Sequence, residues 1–176
     1  LSQAGTVVSS TGHISSSTNI YAADYFDNGA NINTIYSKKN YHHHFIHCGY
    51  MANYSYGRYV PLNGSLSEQN TSTAAPEYTS FVWPYDGTVK NIWIRCETDA
   101  GDVAVTLYKG ANGSSVGTSM GAVTLACGAN TSVEFDMTGV TNAYSQGEAM
   151  AIRVDPVNDP DGAMNLTIEL IFDLTT

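Results

Sequence analysis

Apolar and polar residues alternate strictly over most of the chain after Tyr41. Ile92, Ile94 and Cys96 fall on one side of an extended segment, and Trp93, Arg95 and Glu97 on the other. Asp86-Gly87 opens that segment as a turn, and Asp99 to Asp102 closes it. Val103, Val105 and Leu107 then alternate with Ala104, Thr106 and Tyr108, which predicts a second, antiparallel strand. The same period recurs at Val123, Leu125 and Cys127, at Val133, Phe135 and Met137, and at Met150, Ile152 and Val154. It closes on a long run from Met164 to Leu174. Upstream, Tyr41 to Tyr50 reads as a first strand, Arg58 to Gly64 as a short second one, Ser65 to Pro76 as a polar loop, and Tyr78 to Trp83 as another strand. No segment sustains a helical period.

About nine short strands separated by Gly, Pro, Asn and Asp turns predict an all-β fold. The expected architecture is a two-sheet antiparallel jelly-roll sandwich over residues 41–176, preceded by an extended N-terminal arm over residues 1–40. The arm is Ser, Thr, Asn, Gly and Ala with isolated apolars, too little surface to order itself. Tyr21, Tyr25, Phe26, Ile32, Ile35 and Tyr36 give it anchor points for ordering against a neighbour.

Composition narrows the function classes. Charged residues are 13% of the 176, against roughly 25% in average soluble proteins. Seven Lys plus Arg against 16 Asp plus Glu give a formal net charge of -9, which disfavours a grip on phosphates and hence nucleic acid. No apolar run reaches the roughly 18 residues of a membrane span, so insertion into a membrane is not expected. The chain starts at Leu1, as expected if processing or excision from a longer protein removed the natural start, so the absence of a leader says nothing of compartment. Cys48, Cys96 and Cys127 lie far apart without metal or redox spacing and read as small buried hydrophobes.

Candidate chemistry is sparse. Gly113-Ser114-Ser115-Val116-Gly117 matches the G-x-S-x-G of hydrolase elbows, but that motif needs a helix after Ser115 and a later His, and no His follows His47. No enzyme is therefore expected. His42 and His44 share one face of a strand, and three copies about a threefold axis would present six imidazoles to an octahedral ion. Asp155, Asn158, Asp159 and Asp161, with Gly162, offer oxygen ligands of the kind calcium takes, although Asp, Asn, Pro and Gly are also what a plain turn requires. Tyr50, Tyr54, Tyr56, Arg58 and Tyr59, among Asn, Ser and Gly, have the make-up of a recognition or interface surface. An alternative reading is a secreted carbohydrate-binding β-sandwich module stacking sugars on Trp83, Trp93 or the tyrosines.

Residues 59–176 resemble a C-terminal jelly-roll domain of virion surface proteins from tailed phages, of marine and cyanophage type. The matching text is Tyr59-Val60-Pro61-Leu62-Asn63-Gly64, Pro84-Tyr85-Asp86-Gly87-Thr88-Val89, Val103 to Lys109, Gly147 to Asp155 and Asn158-Asp159-Pro160. The resemblance implies a homotrimeric structural protein on the virion surface, as a fibre tip, knob or capsid decoration. Its arm would dock to other virion proteins of capsid or tail, and its loops would meet a host surface glycan. His42 and His44 are similar to the H-x-H iron sites of some trimeric phage fibre tips. No other cofactor is implied.

Overall fold

The computed structural model describes residues 26–27, 30–31, 41–50, 57–63, 68–70, 79–111, 115–158 and 163–174. The chain divides into two compact units, Leu1–Lys39 and Asn40–Thr176. In the first, β1 (Phe26–Asp27) and β2 (Ala30–Asn31) form a small antiparallel pair; the rest of the expected arm lies outside the described residues.

In the second unit the alternating runs become strands. β3 spans Tyr41–Tyr50, β4 Arg58–Tyr59, β5 Gln69–Asn70, β6 Phe81–Val82 and β7 Gly87–Cys96. β8 follows at Gly101–Gly110, β9 at Thr118–Cys127, β10 at Ser132–Asp136, β11 at Ala143–Tyr144, β12 at Ala149–Pro156 and β13 at Met164–Asp173. One sheet has the order β10-β7-β13-β3 with β11 also on β7, the other β5-β4-β12-β8-β9 with β6 also on β12. Every pairing is antiparallel.

Two strands are interrupted. Tyr59 opposes Arg153, and further along the same edge of β12 Phe81 opposes Met150, so β4 and β6 are one strand broken by an excursion. Leu62 N donates to Thr79 O at 3.1 Å and closes its neck. Within the stretch expected as a polar loop from Ser65, Gln69–Asn70 form β5, paired back onto β4; residues 65–67 and 71–76 of that stretch lie outside the described residues. Likewise β10 and β11 both lie along β7, separated by a 3-10 turn at Met137–Gly139 that Asp136 caps by accepting from Thr138 N at 2.9 Å. Counting each interrupted strand once, the first pairs the eighth, the second the seventh, the third the sixth and the fourth the fifth. That nesting is a long hairpin rolled over on itself, the jelly roll.

The core lies between the sheets and includes Ile92, Ile94, Leu107, Phe135, Met150, Ile152, Met164 and Ile168, all fully buried. Trp83 stacks on Tyr144 at 4.8 Å between ring centroids and meets Phe172 edge-on at 5.3 Å. Gly87 lets β7 and β13 approach there, because a Cβ at that position would sit 2.3 Å from Ile171 O and 2.7 Å from the Trp83 ring. In β7, Val89 falls out of phase with Ile92. A bulge explains it: Glu169 opposes Asn91 and Leu170 opposes Val89, leaving Lys90 without a partner in the ladder. β9 departs from expectation in the same way. It begins five residues before Val123, and Gly121, at φ 122, shifts its register against β8. As an edge strand it leaves Leu125 exposed although Leu125 opposes the buried Val103.

Candidate functional site

The face of the β10-β7-β13-β3 sheet turned away from the core carries a set of interacting polar side chains. Alternation fixes which residues occupy it. His47, Thr167, Trp93 and Glu134 form one row across the four strands, and Phe45, Glu169, Asn91 and Asp136 the next. His43, Ile171 and Thr88 follow. Phe45 is 48% exposed, whereas Glu169 beside it is only 5% exposed, although both point outward.

A carboxylate shielded to that degree needs partners, and Glu169 has three. His43 Nδ1 donates to Oε1 at 2.7 Å, Asn91 Nδ2 donates to Oε2 at 3.4 Å, and the bulged Lys90 places Nζ 3.7 Å from Oε1. The β7 bulge thus delivers the cation. His47 Nδ1 shares a hydrogen bond of 3.1 Å with Thr167 Oγ1, so edge strand β3 is pinned to central β13 by side chains as well as backbone. A histidine oriented by a carboxylate is half of a nucleophile relay, but among the described residues no Ser or Cys is bonded to His43. Ser115 is exposed in the loop between β8 and β9, and the chain enters a strand after it, not the helix an elbow requires.

The residues expected to act are dispersed. His42 and His44 do share a face, opposite that of His43 and His47, and both are exposed. His44 lies over Phe172 at 5.9 Å, and among the described residues no cluster of three metal-ligating side chains forms. Asp155 Oδ2 accepts from Arg153 Nη2 at 2.6 Å, so its charge is already balanced. Asn158 N donates to Ala100 O at 3.1 Å, while Asp159 and Asp161 lie outside the described residues. Tyr54, Tyr56 and the side chain of Tyr50 lie outside them as well. Arg58 is half-buried, and Tyr59 is buried at 6% exposure, edge-on to Tyr108 at 5.3 Å. Burial, before its bond to the Tyr108 hydroxyl, pushes the Tyr59 hydroxyl's pKa up, so this residue packs and does not present a free ring. Trp83 is fully buried, which removes it as a sugar platform; Trp93 remains, half-buried on the outer face.

A second feature is a cleft of about 560 Å³ lined by Asp86, Thr88, Lys109, Tyr144, Ile171 and Asp173. Its charged groups serve the fold: Asp86 accepts from Gln146 N at 2.7 Å, and Lys109 pairs with Glu148 at 3.0 Å.

The site and topology define an all-β jelly-roll sandwich. No protein-family model and no curated protein matches the sequence. Among solved structures, a CocE/NonD family hydrolase from Staphylococcus aureus is similar at 10% identity and a TM-score of 0.35, over 76% of this chain and 36% of that one. The chain spans just over a third of that protein's length, and a likeness this low carries no argument about activity.

Proposed function

We propose that the chain is a non-enzymatic structural protein of a phage virion, displayed on the particle surface as a fibre tip or capsid decoration. It assembles as a homotrimer, residues 1–40 dock it to other virion proteins, and the sandwich meets a host surface or neighbouring capsid protein. The observation that supports this reading best is the outer face of the β10-β7-β13-β3 sheet. Phe45 and Trp93 offer aromatic area there, while His43 is bonded to Glu169 and His47 to Thr167. Such a face suits contact between macromolecules, because aromatic area can be covered while the polar groups arrive already paired. The resemblance of residues 59–176 to phage virion domains is taken the same way. Burial of Trp83 weakens the carbohydrate-binding alternative, which keeps only Trp93 from its pair of tryptophans.

Light scattering on the full chain and on residues 40–176 tests the reading. The expected result is three copies for the full chain, with Phe45→Ser shifting the assembly toward monomer at micromolar concentration. A monomer at all concentrations that binds a polysaccharide column would overturn it in favour of the alternative. Chelation leaves the assembly intact unless His42 and His44 hold iron between copies.

A further inference from the structure

Cys96 closes β7 in one sheet and Cys127 closes β9 in the other, and the fold brings the two ends face to face. Both residues are fully buried, and their thiols share a hydrogen bond. The backbone around them is tied at close range. Cys96 N donates to Thr131 O at 3.1 Å, and Ala100 N donates to Cys127 O at 3.0 Å. The turn between β9 and β10 is itself locked, with Thr131 Oγ1 donating to Gly128 O at 2.6 Å and Asn130 in the left-handed region at φ 57. Two buried thiols of one core cluster, on strand ends anchored by these backbone bonds, are placed for the roughly 2.05 Å S–S bond.

We propose that Cys96 and Cys127 are the two halves of a disulfide that ties the sheets together when the chain folds under oxidising conditions. The oxidant is a disulfide donor such as oxidised glutathione. While the chain is still open, one protein thiolate attacks a donor sulfur and releases one glutathione thiolate, leaving a mixed disulfide. Folding brings the second cysteine onto that mixed disulfide; its thiolate displaces the remaining glutathione. Two protein thiols have then lost two protons and two electrons, and one donor disulfide has become two thiols. Once the sandwich closes, the bond is out of reach of solvent reductants. In the reduced protein the Cys127 thiol donates to Cys96, which lowers the pKa of Cys96 and raises that of Cys127. Cys48, half-buried on β3, is the internal control.

The inference stands whether or not the virion reading does, since it uses only the fold. The test is to refold the full chain with oxidised and reduced glutathione, or with reductant alone, then alkylate in denaturant and measure mass and peptide map. The expected result is one alkylated cysteine, Cys48, after oxidative refolding and three after reductive refolding, with a linked peptide pair containing Cys96 and Cys127. The oxidised protein should melt about 10 °C above the reduced one, the scale expected for closing a loop of about 30 residues. In Cys96→Ala/Cys127→Ala that difference should vanish. Three alkylated cysteines after oxidative refolding, or a bond involving Cys48, would overturn it; because the map is read on the natural sequence, a variant that fails to fold does not blunt the test.

Discussion

Trp83 shows how one side chain can be both the largest asset and a flaw. It is fully enclosed by Phe81, Tyr144 and Phe172, yet its indole N–H has no hydrogen-bond partner. Deleting the ring should cost about 3–5 kcal/mol, because the walls of a close-packed core collapse only partly. Trp83→Phe loses some ring area but also removes an orphan donor whose burial costs about 1–3 kcal/mol. Those terms nearly cancel. Urea denaturation should therefore find Trp83→Phe within about 1 kcal/mol of the natural protein and Trp83→Ala far below it; equal losses would show that the N–H is satisfied. At this scale the sequence was a partial guide. Tryptophan beside a Pro-Tyr-Asp-Gly turn reads as well for an exposed platform as for a core plug, and only the partners supplied from Tyr144 and Phe172 decide.

Among the elements, the ten-residue strands β7, β8 and β13 were legible because period-2 alternation repeats often enough to be unmistakable. Of the two-residue strands, β4 and β6 fall inside the runs read as strands from Arg58 and Tyr78; β5 and β11 were not legible, since their order comes from neighbours and not from their own pattern. The bulge at Lys90 hides in a polar pair that alternation alone treats as noise. Outward placement of Phe45, Thr167 and Glu169 could be read directly from the strands. The bond between His43 and Glu169, 126 residues apart, could not, because it depends on which strands pair and in what register. The contact of Cys96 with Cys127 escaped for the same reason: it joins strands of facing sheets. Packing between elements also explains Gly87, whose Cα faces the Ile171 carbonyl. Gly87→Ala should separate β7 from β13 and lower stability by about 1–3 kcal/mol, read as a lower urea midpoint with an unchanged slope. An unaltered midpoint would mean that the two strands part without strain.

For the whole molecule, burial gives ionisable groups in different parts of the sandwich the same pH sense. It pushes Cys48 up to about 12, and it raises Tyr144 and Tyr59 above the ordinary tyrosine range. A group that ionises less readily when folded holds its proton in the native state after the unfolded chain has released it. Stability therefore declines as pH climbs past the unfolded cysteine value of about 8.5. Urea midpoints measured on the reduced protein should be level near pH 7 to 8 and fall steadily from about pH 9 to 11, with Cys48→Ala removing part of the slope; a flat profile would contradict the burial of these groups. The nested pairing of first strand with eighth has a consequence for biosynthesis. A ribosome emits β3 early and β13 late, so the inner pairs can meet while the sheet of β7 and β3 still lacks the strand that joins them. Until Asp173 has cleared the exit tunnel, the nascent chain carries an apolar surface with nothing to close it, and a chaperone has its best opportunity in that interval.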